Sequence, residues 1–207
     1  CLVGSEMCIR DRYYAKQDAE KLSGKGDTSQ KLTLMKTSAD SLKKSADALN
    51  DSSLWEKKKI KKKDEKTGEE IEVEDYDWDK ITKAVKSFVE DYNDVVKEAG
   101  ESNTKDVLRN ASWMTGMTDK NSNMLAKIGI TIGKGNKLEL DEDALKQADI
   151  SSLKTIFTGY NSFVSKISQK ATGISNAANR ASATYTNNGT YSKTDSLLTS
   201  SKIDEEV

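Results

Sequence analysis

A chain of 207 residues with 35% hydrophobic and 32% charged residues is long enough for one domain or two small ones, and polar enough that any core is thin. Lys+Arg 33 against Asp+Glu 34 gives a formal net charge of -1, which excludes a chain-wide attraction to nucleic acid or to an anionic membrane. Histidine and proline are both absent, so imidazole chemistry is excluded and nothing interrupts long helices from within. No apolar run reaches the length of a membrane span, and the first residues lack a basic region followed by an apolar one. The chain is read as soluble, without a conventional signal peptide and without membrane insertion.

The opening stretch CLVGSEMCIRDR holds both cysteines, at positions 1 and 8, a spacing that fits no zinc or redox motif. Its apolar residues follow neither helical nor strand period. It resembles the in-frame translation of a transposon-end sequencing adapter, so residues 1–12 are set aside and the helical domain is drawn over 13–186; a native tail is the alternative.

From Lys31 the apolar positions Met35, Ala39, Leu42, Ala46 and Leu49 step by four and three, and Ser-Ala-Asp repeats after seven residues, the seam of a helix packing lengthwise on others. Residues 50–53 end it. Next, KKKIKKKDEKTGEEIEVED places seven lysines within 57–66 and then Glu69, Glu70, Glu72, Glu74 and Asp75. Folding back at KTGE sets lysines opposite glutamates, with Ile60, Ile71 and Val73 on one face, and predicts a charge-paired hairpin over about 56–76. The alternative is a patch binding nucleic acid or an acidic partner through 57–63. Arginine is missing there and only Trp55 and Tyr76 flank the run, which favours the hairpin; no nucleic-acid partner is expected.

Asp79 is the expected cap of a second helix with seam Ile81, Val85, Phe88, Tyr92, Val95 and Ala99, ending at Gly100. A weaker third helix is expected over 103–128 through Val107, Ala111, Met114, Met124, Leu125 and Ile128, loosened at Gly116. Ile130 to Ile132 and Leu138 to Leu140 alternate about Gly133, Gly135 and Asn136 as a second hairpin, near 129–140, and Asp141 caps a short helix. After Ser151 the seam Leu153, Ile156, Tyr160, Phe163, Ile167, Ala171, Ile174, Ala178, Ala181 and Tyr185 predicts one helix of more than thirty residues, the longest element. Residues 187–207 are polar and read as a flexible tail. The fold class is mainly α: an elongated antiparallel helical bundle or coiled coil with two small β-hairpins.

Nothing in this chain reads as a catalytic, cofactor or metal site. GITIGKGNK lacks the glycine frame and the Ser/Thr of a phosphate loop and reads as a turn. Asp91 with Asp94, and Asp141 with Asp143, read as helix-solubilising and capping carboxylates, since no twelve-residue calcium loop surrounds them. Met114, Met117 and Met124 read as core, and Asn110-Ala-Ser as a chance glycosylation match.

AVKSFVEDYNDVV, LAKIGITIGKGNKLELDEDALKQA and LKTIFTGYNSFVSKI, in that order, resemble the C-terminal region of the flagellar filament cap (hook-associated) protein family over about half the chain, 80–186. Phe88, Val89, Tyr92, Asn93, Gly129, Ile130, Asn136, Leu138, Leu140, Asp141, Leu145, Ile156, Phe157 and Gly159 carry the resemblance. Departures are the Lys/Glu hairpin where that family has β-rich heads, and Asn136-Lys137 where it has Asp-Gly. The resemblance implies a non-enzymatic, exported, extracellular subunit of the bacterial flagellum that self-associates, meets flagellin and the flagellar export apparatus, and assists assembly at the filament tip. A secreted helical adhesin or scaffold is the alternative. The expected packing and assembly seam sets Phe88, Tyr92 and Val95 against Phe157, Tyr160, Phe163 and Ile167, with Phe163 and Ile167 partly left for a neighbour.

Overall fold

The computed structural model describes residues 26–63 and 70–184, together with Ile9. The turn at KTGE, the tail 187–207 and the rest of 1–12 lie outside the described residues. Ile9 is helical and only 3% exposed, a core contribution that the unpatterned opening stretch does not lead one to expect.

Four helices make the body: α1 (Ser29–Asn50), α2 (Trp78–Gly100), α3 (Lys105–Lys120) and α7 (Phe163–Thr184). Helix α1 packs on α2 and α7, and α3 packs on α7 and α2, so the four close a ring. Directions follow from contacts at the ends. The Gly159 N–H, just before α7, donates to Asn50 Oδ1 at the end of α1 (2.9 Å), and Lys31 Nζ at the start of α1 donates to the carbonyl of Glu101 after α2. Each helix is therefore antiparallel to the next, an up-down-up-down bundle.

The seven-residue repeat in α1 has a physical role on both faces. Leu32, Met35, Ala39, Leu42, Ala46 and Leu49 are all buried at the three-four spacing. The repeated aspartates, Asp40 and Asp47, accept hydrogen bonds from Ser175 and Ser168 of α7, which are likewise seven residues apart. The two helices keep register because the same period runs along each in opposite directions.

Helix α2 begins at Trp78, capped by Asp77, whose Oδ1 accepts from the Lys80 N–H at 3.2 Å. Asp79, the expected cap, instead sits in the first turn, where a carboxylate complements the helix dipole. The expected helix over 103–128 is two: α3 stops at Lys120 and α4 (Ser122–Ala126) follows. The break falls at Asn121, whose side-chain amide donates to the Met117 carbonyl at 2.8 Å, and not at Gly116, which stays within a regular helix.

The continuous helix expected after Ser151 is also broken. Helix α6 (Ile150–Phe157) is capped at Thr158 and followed by Gly159, which has φ +100, and α7 starts after Ser162, whose hydroxyl accepts from the Ser165 N–H at 3.1 Å. The longest described helix is α2, with 23 residues. Apolar spacing carries through the break because Phe157, Phe163 and Ile167 all enter the same core from its two sides.

Strands β1 (Lys58–Lys63) and β2 (Glu70–Asp75) pair antiparallel, with Lys59 opposite Glu74, Ile60 opposite Val73 and Lys61 opposite Glu72. Alternation along the strands puts the Lys59 and Lys61 pairs on one face and the Ile60–Val73 pair on the other. Strands β3 (Ile130–Ile132) and β4 (Leu138–Leu140) form the second hairpin, followed by α5 (Glu142–Gln147), whose first N–H groups are capped by Asp141 Oδ1 at 2.9 and 3.0 Å. Gly135 and Asn136 take φ 68 and 62 in its turn, which explains the glycine and asparagine there without a phosphate.

At the far end of the bundle Asp27 joins two distant segments. Its carboxylate accepts from Ser102 Oγ (2.7 Å), the N–H groups of Asn103 (2.8 Å) and Thr104 (2.9 Å) and Thr104 Oγ1 (2.7 Å), with Lys31 Nζ at 3.8 Å. Thr104, at the N-cap of α3, makes no side-chain capping bond of its own. Asp27, 77 residues away, instead holds the Thr104 N–H and hydroxyl and so anchors the segment leading into α3.

Candidate assembly surface

Most aromatic residues of the expected seam face inward. Phe88 lies 6.5 Å from Phe157 and 6.3 Å from Phe163, edge to face in both cases, and 6.3 Å from Tyr92. Phe88, Tyr92, Val95, Phe157 and Ile167 are 0% exposed and Phe163 is 6% exposed. Phe163 and Ile167, expected to remain partly open to a neighbour, are thus interior. Tyr160 is not brought to the cluster at all: it stands in the break between α6 and α7, 83% exposed. Sequence reasoning missed Trp55, which stacks on Phe157 at 5.5 Å and donates from Nε1 to the Leu49 carbonyl. Its position just outside a charge run hid it.

The residues that carry the family resemblance hold the second hairpin against α2. Tyr92 donates to Thr118 Oγ1 of α3 at 2.9 Å, and burial pushes the Tyr92 phenol up, far beyond its ordinary range. One residue on, the Asn93 side chain donates to the Leu138 carbonyl (2.8 Å) and accepts from the Leu138 N–H (2.7 Å). A side-chain amide thereby pairs with one residue of β4 as a neighbouring strand would. Gly129 has φ +80, and a Cβ there would lie 2.6 Å from the Asp141 carbonyl, so only glycine permits the entry to β3. Ile130, Leu138, Leu145 and Ile156 are buried around this junction.

The exposed apolar surface is elsewhere. Leu34, Trp113, Met124 and Tyr160 are the exposed large hydrophobics among the described residues. Met124, expected in the core, is one of them at 41%. Met114 is fully buried and Met117 is partly so. Trp113 is 47% exposed with the Lys170 ammonium 4.3 Å from its ring centroid. Both Leu34 and Trp113 lie off the buried stripes of their helices. An apolar side chain off its helix's stripe is the signal that would have found them.

Among the described residues no helix is long and apolar enough to cross a membrane, and no group of three or more carboxylate, cysteine or histidine residues is placed to hold a metal ion. Asp141 caps its helix, Asp94 is exposed on α2 and Asp91 is half-buried on the same helix.

Residues 102–205 match the protein family described as flagellar hook-associated protein 2 C-terminus. No curated protein and no solved structure matches the chain.

Proposed function

The chain belongs to the flagellar hook-associated protein 2 C-terminus family, a family of structural flagellar proteins, and from that membership we propose that it acts as a filament-cap-like subunit, outside the cell, assisting flagellin assembly at the filament tip. The observation that carries this reading is the family match over 102–205, which takes in α3, the β3–β4 hairpin, α5, α6 and α7. The docked hairpin supports it, because Asn93 and Gly129, two of the residues behind the resemblance, are the ones that hold the hairpin in place. The work is mechanical: the buried aromatic cluster stiffens one end of the bundle, Asp27 ties the other, and the exposed faces between them meet partners. Export through the flagellar apparatus, self-association and flagellin as client belong to the same proposal.

The test supplies the full chain to a bacterium that makes and exports flagellin but has lost its own cap protein and, with it, its filaments. Flagellin lost to the medium should fall and filaments should reappear, and purified chain should capture monomeric flagellin at micromolar concentration. Unchanged flagellin leakage together with no capture would overturn the proposal.

A further inference from the structure

The hairpin β1–β2 lies outside the stretch that the family match covers. It is a two-stranded sheet, and among the described residues no third strand joins either edge. Two strands by themselves are marginally stable in water, and alternate N–H and C=O groups along the outer edge of β1 point away from β2. That edge is uniformly basic: five of the six residues of Lys58–Lys63 are lysine, and Lys58, Lys59 and Lys61 are exposed. Glu74 and Glu72 stand opposite Lys59 and Lys61 across the pair, while Lys62 falls opposite Ile71. Ile60, half-buried and paired with Val73, is the one apolar position of β1. Lysines on an open edge turn away neutral and basic strands. They admit an acidic one, and an apolar residue of that strand on the Ile60 face would extend the Ile60–Val73 strip.

One segment of this chain has that chemistry. Ile203-Asp204-Glu205-Glu206-Val207 holds the one run of three carboxylates outside the described residues, set between two β-branched residues. It repeats the acidic, β-branched make-up of β2, Glu70–Asp75, which already pairs with β1 on its inner edge. With the strand period of two, Asp204 and Glu206 share one face and Ile203, Glu205 and Val207 the other. Laying Ile203 and Val207 on the Ile60 face sets Asp204 and Glu206 on the face of Lys59 and Lys61. A slip by one residue would move the two apolar residues among those lysines, so the register is specified.

The chain between is long enough. Helix α7 starts level with the base of the hairpin, because the Gly159 N–H bonds to Asn50 Oδ1 and Trp55, just before β1, stacks on Phe157. Its last residue, Thr184, lies a helix length away, about 33 Å, at the end where Arg180 meets Asp106. A strand of six residues adds about 20 Å, whereas the stretch from Thr184 to Ile203 spans about 60 Å when extended. We infer that residues 203–207 dock along the outer edge of β1 in their own chain as a third strand, Asp204 and Glu206 beside Lys59 and Lys61 and Ile203 and Val207 beside Ile60. Tethering presents the segment at about millimolar effective concentration, so a short strand suffices. Docked, it covers an edge that would otherwise be open to strands of other molecules. The inference does not depend on the role proposed above.

Amide hydrogen exchange of the full chain, read by nuclear magnetic resonance, tests this. At low salt the amides of residues 204–206 should exchange about tenfold or more slower than in a free peptide of the same sequence, and the protection should fade towards about 1 M salt. A carbodiimide, which joins a lysine ammonium to a touching carboxylate as an amide, should link Lys58, Lys59 or Lys61 to Asp204 or Glu206. In a mixture of chains labelled with light and heavy isotopes, those links should stay within one chain. Asp204→Lys with Glu206→Lys should abolish both signals and leave the far-ultraviolet dichroism unchanged. The decisive arm reverses the whole hairpin: Lys59→Glu, Lys61→Glu, Glu72→Lys and Glu74→Lys keep its two strands complementary to each other. That variant should release the native segment and regain protection only when Asp204→Lys and Glu206→Lys are added. Unprotected amides at low salt, links only between chains, or protection indifferent to the reversed hairpin would overturn the docking. So would a short single-stranded DNA that binds β1 while the segment's protection stays unchanged.

Discussion

Replacing Asp27 by asparagine keeps the size of the side chain and removes its charge, at a site where the carboxylate is 0% exposed and takes four hydrogen bonds at 2.7 to 2.9 Å. A hydrogen bond to a charged group is worth about 1.5–3 kcal/mol net, and a buried donor left unmet costs a comparable amount. Asparagine retains one acceptor oxygen but turns an N–H pair towards donors, so we expect a loss of about 3 kcal/mol, or roughly 6–12 °C in thermal midpoint for a domain of this size. The pH dependence gives a sharper reading. Burial by itself would raise the Asp27 carboxyl, but hydrogen bonds from Ser102, Thr104 and the Asn103 N–H, aided by the Lys31 charge, outweigh it and hold the carboxyl below its ordinary value. The unfolded chain therefore binds this proton first as pH falls. The contribution is fully present above about pH 4 and disappears as pH drops through the lower folded value. Urea denaturation of both proteins from pH 7 to pH 2.5 should show a gap that is constant down to about pH 4 and then closes. A variant within about 0.5 kcal/mol of the parent at pH 7, or a gap that stays open in acid, would refute the role given to Asp27.

Gly129→Ala should lose about 2–3 kcal/mol in chemical denaturation, because φ +80 and a Cβ 2.6 Å from the Asp141 carbonyl strain both backbone segments, while Gly116→Ala should gain up to about 1 kcal/mol. Reversing Lys59 and Lys61 to glutamate should cost about 0.2–1 kcal/mol per pair, and reversing Glu72 and Glu74 to lysine in the same chain should restore most of it; additive losses would count against charge pairing in the hairpin. Phe163→Ser should lower global stability by about 3–5 kcal/mol, read by far-ultraviolet dichroism on heating, since the ring is buried against Phe88 at 6.3 Å; a cleanly folded variant would place it outside the core.

Periodicity carried most of the helical architecture. The stripe from Met35 to Leu49 and the stripe from Ile81 to Ala99 are buried as their spacing indicates, because one apolar face of a helix has nowhere to go but into a neighbour. Charge alternation gave the first hairpin and turn chemistry the second, where Asn136 and Gly135 hold positive φ. The same reasoning missed the breaks at Asn121 and Gly159: three-four spacing survives a break when both pieces return to one core, so pattern alone joins them. It placed Tyr160 in the seam for that reason, and the turn swings it into solvent.

Local composition thus determined which stretches are helix or hairpin and which face of each is apolar, since those properties depend on residues within a few positions of one another. Only the tertiary structure decided what the faces meet. That Asp27 anchors the entry to a helix 77 residues away, that Asn93 pairs with Leu138, and that the Phe163 face is spent inside while Trp113 and Gly116 stay outside are matters of long-range placement. A stripe says that a helix must be covered; the crossing of four helices in space says by which neighbour, and so which apolar side chains stay outside.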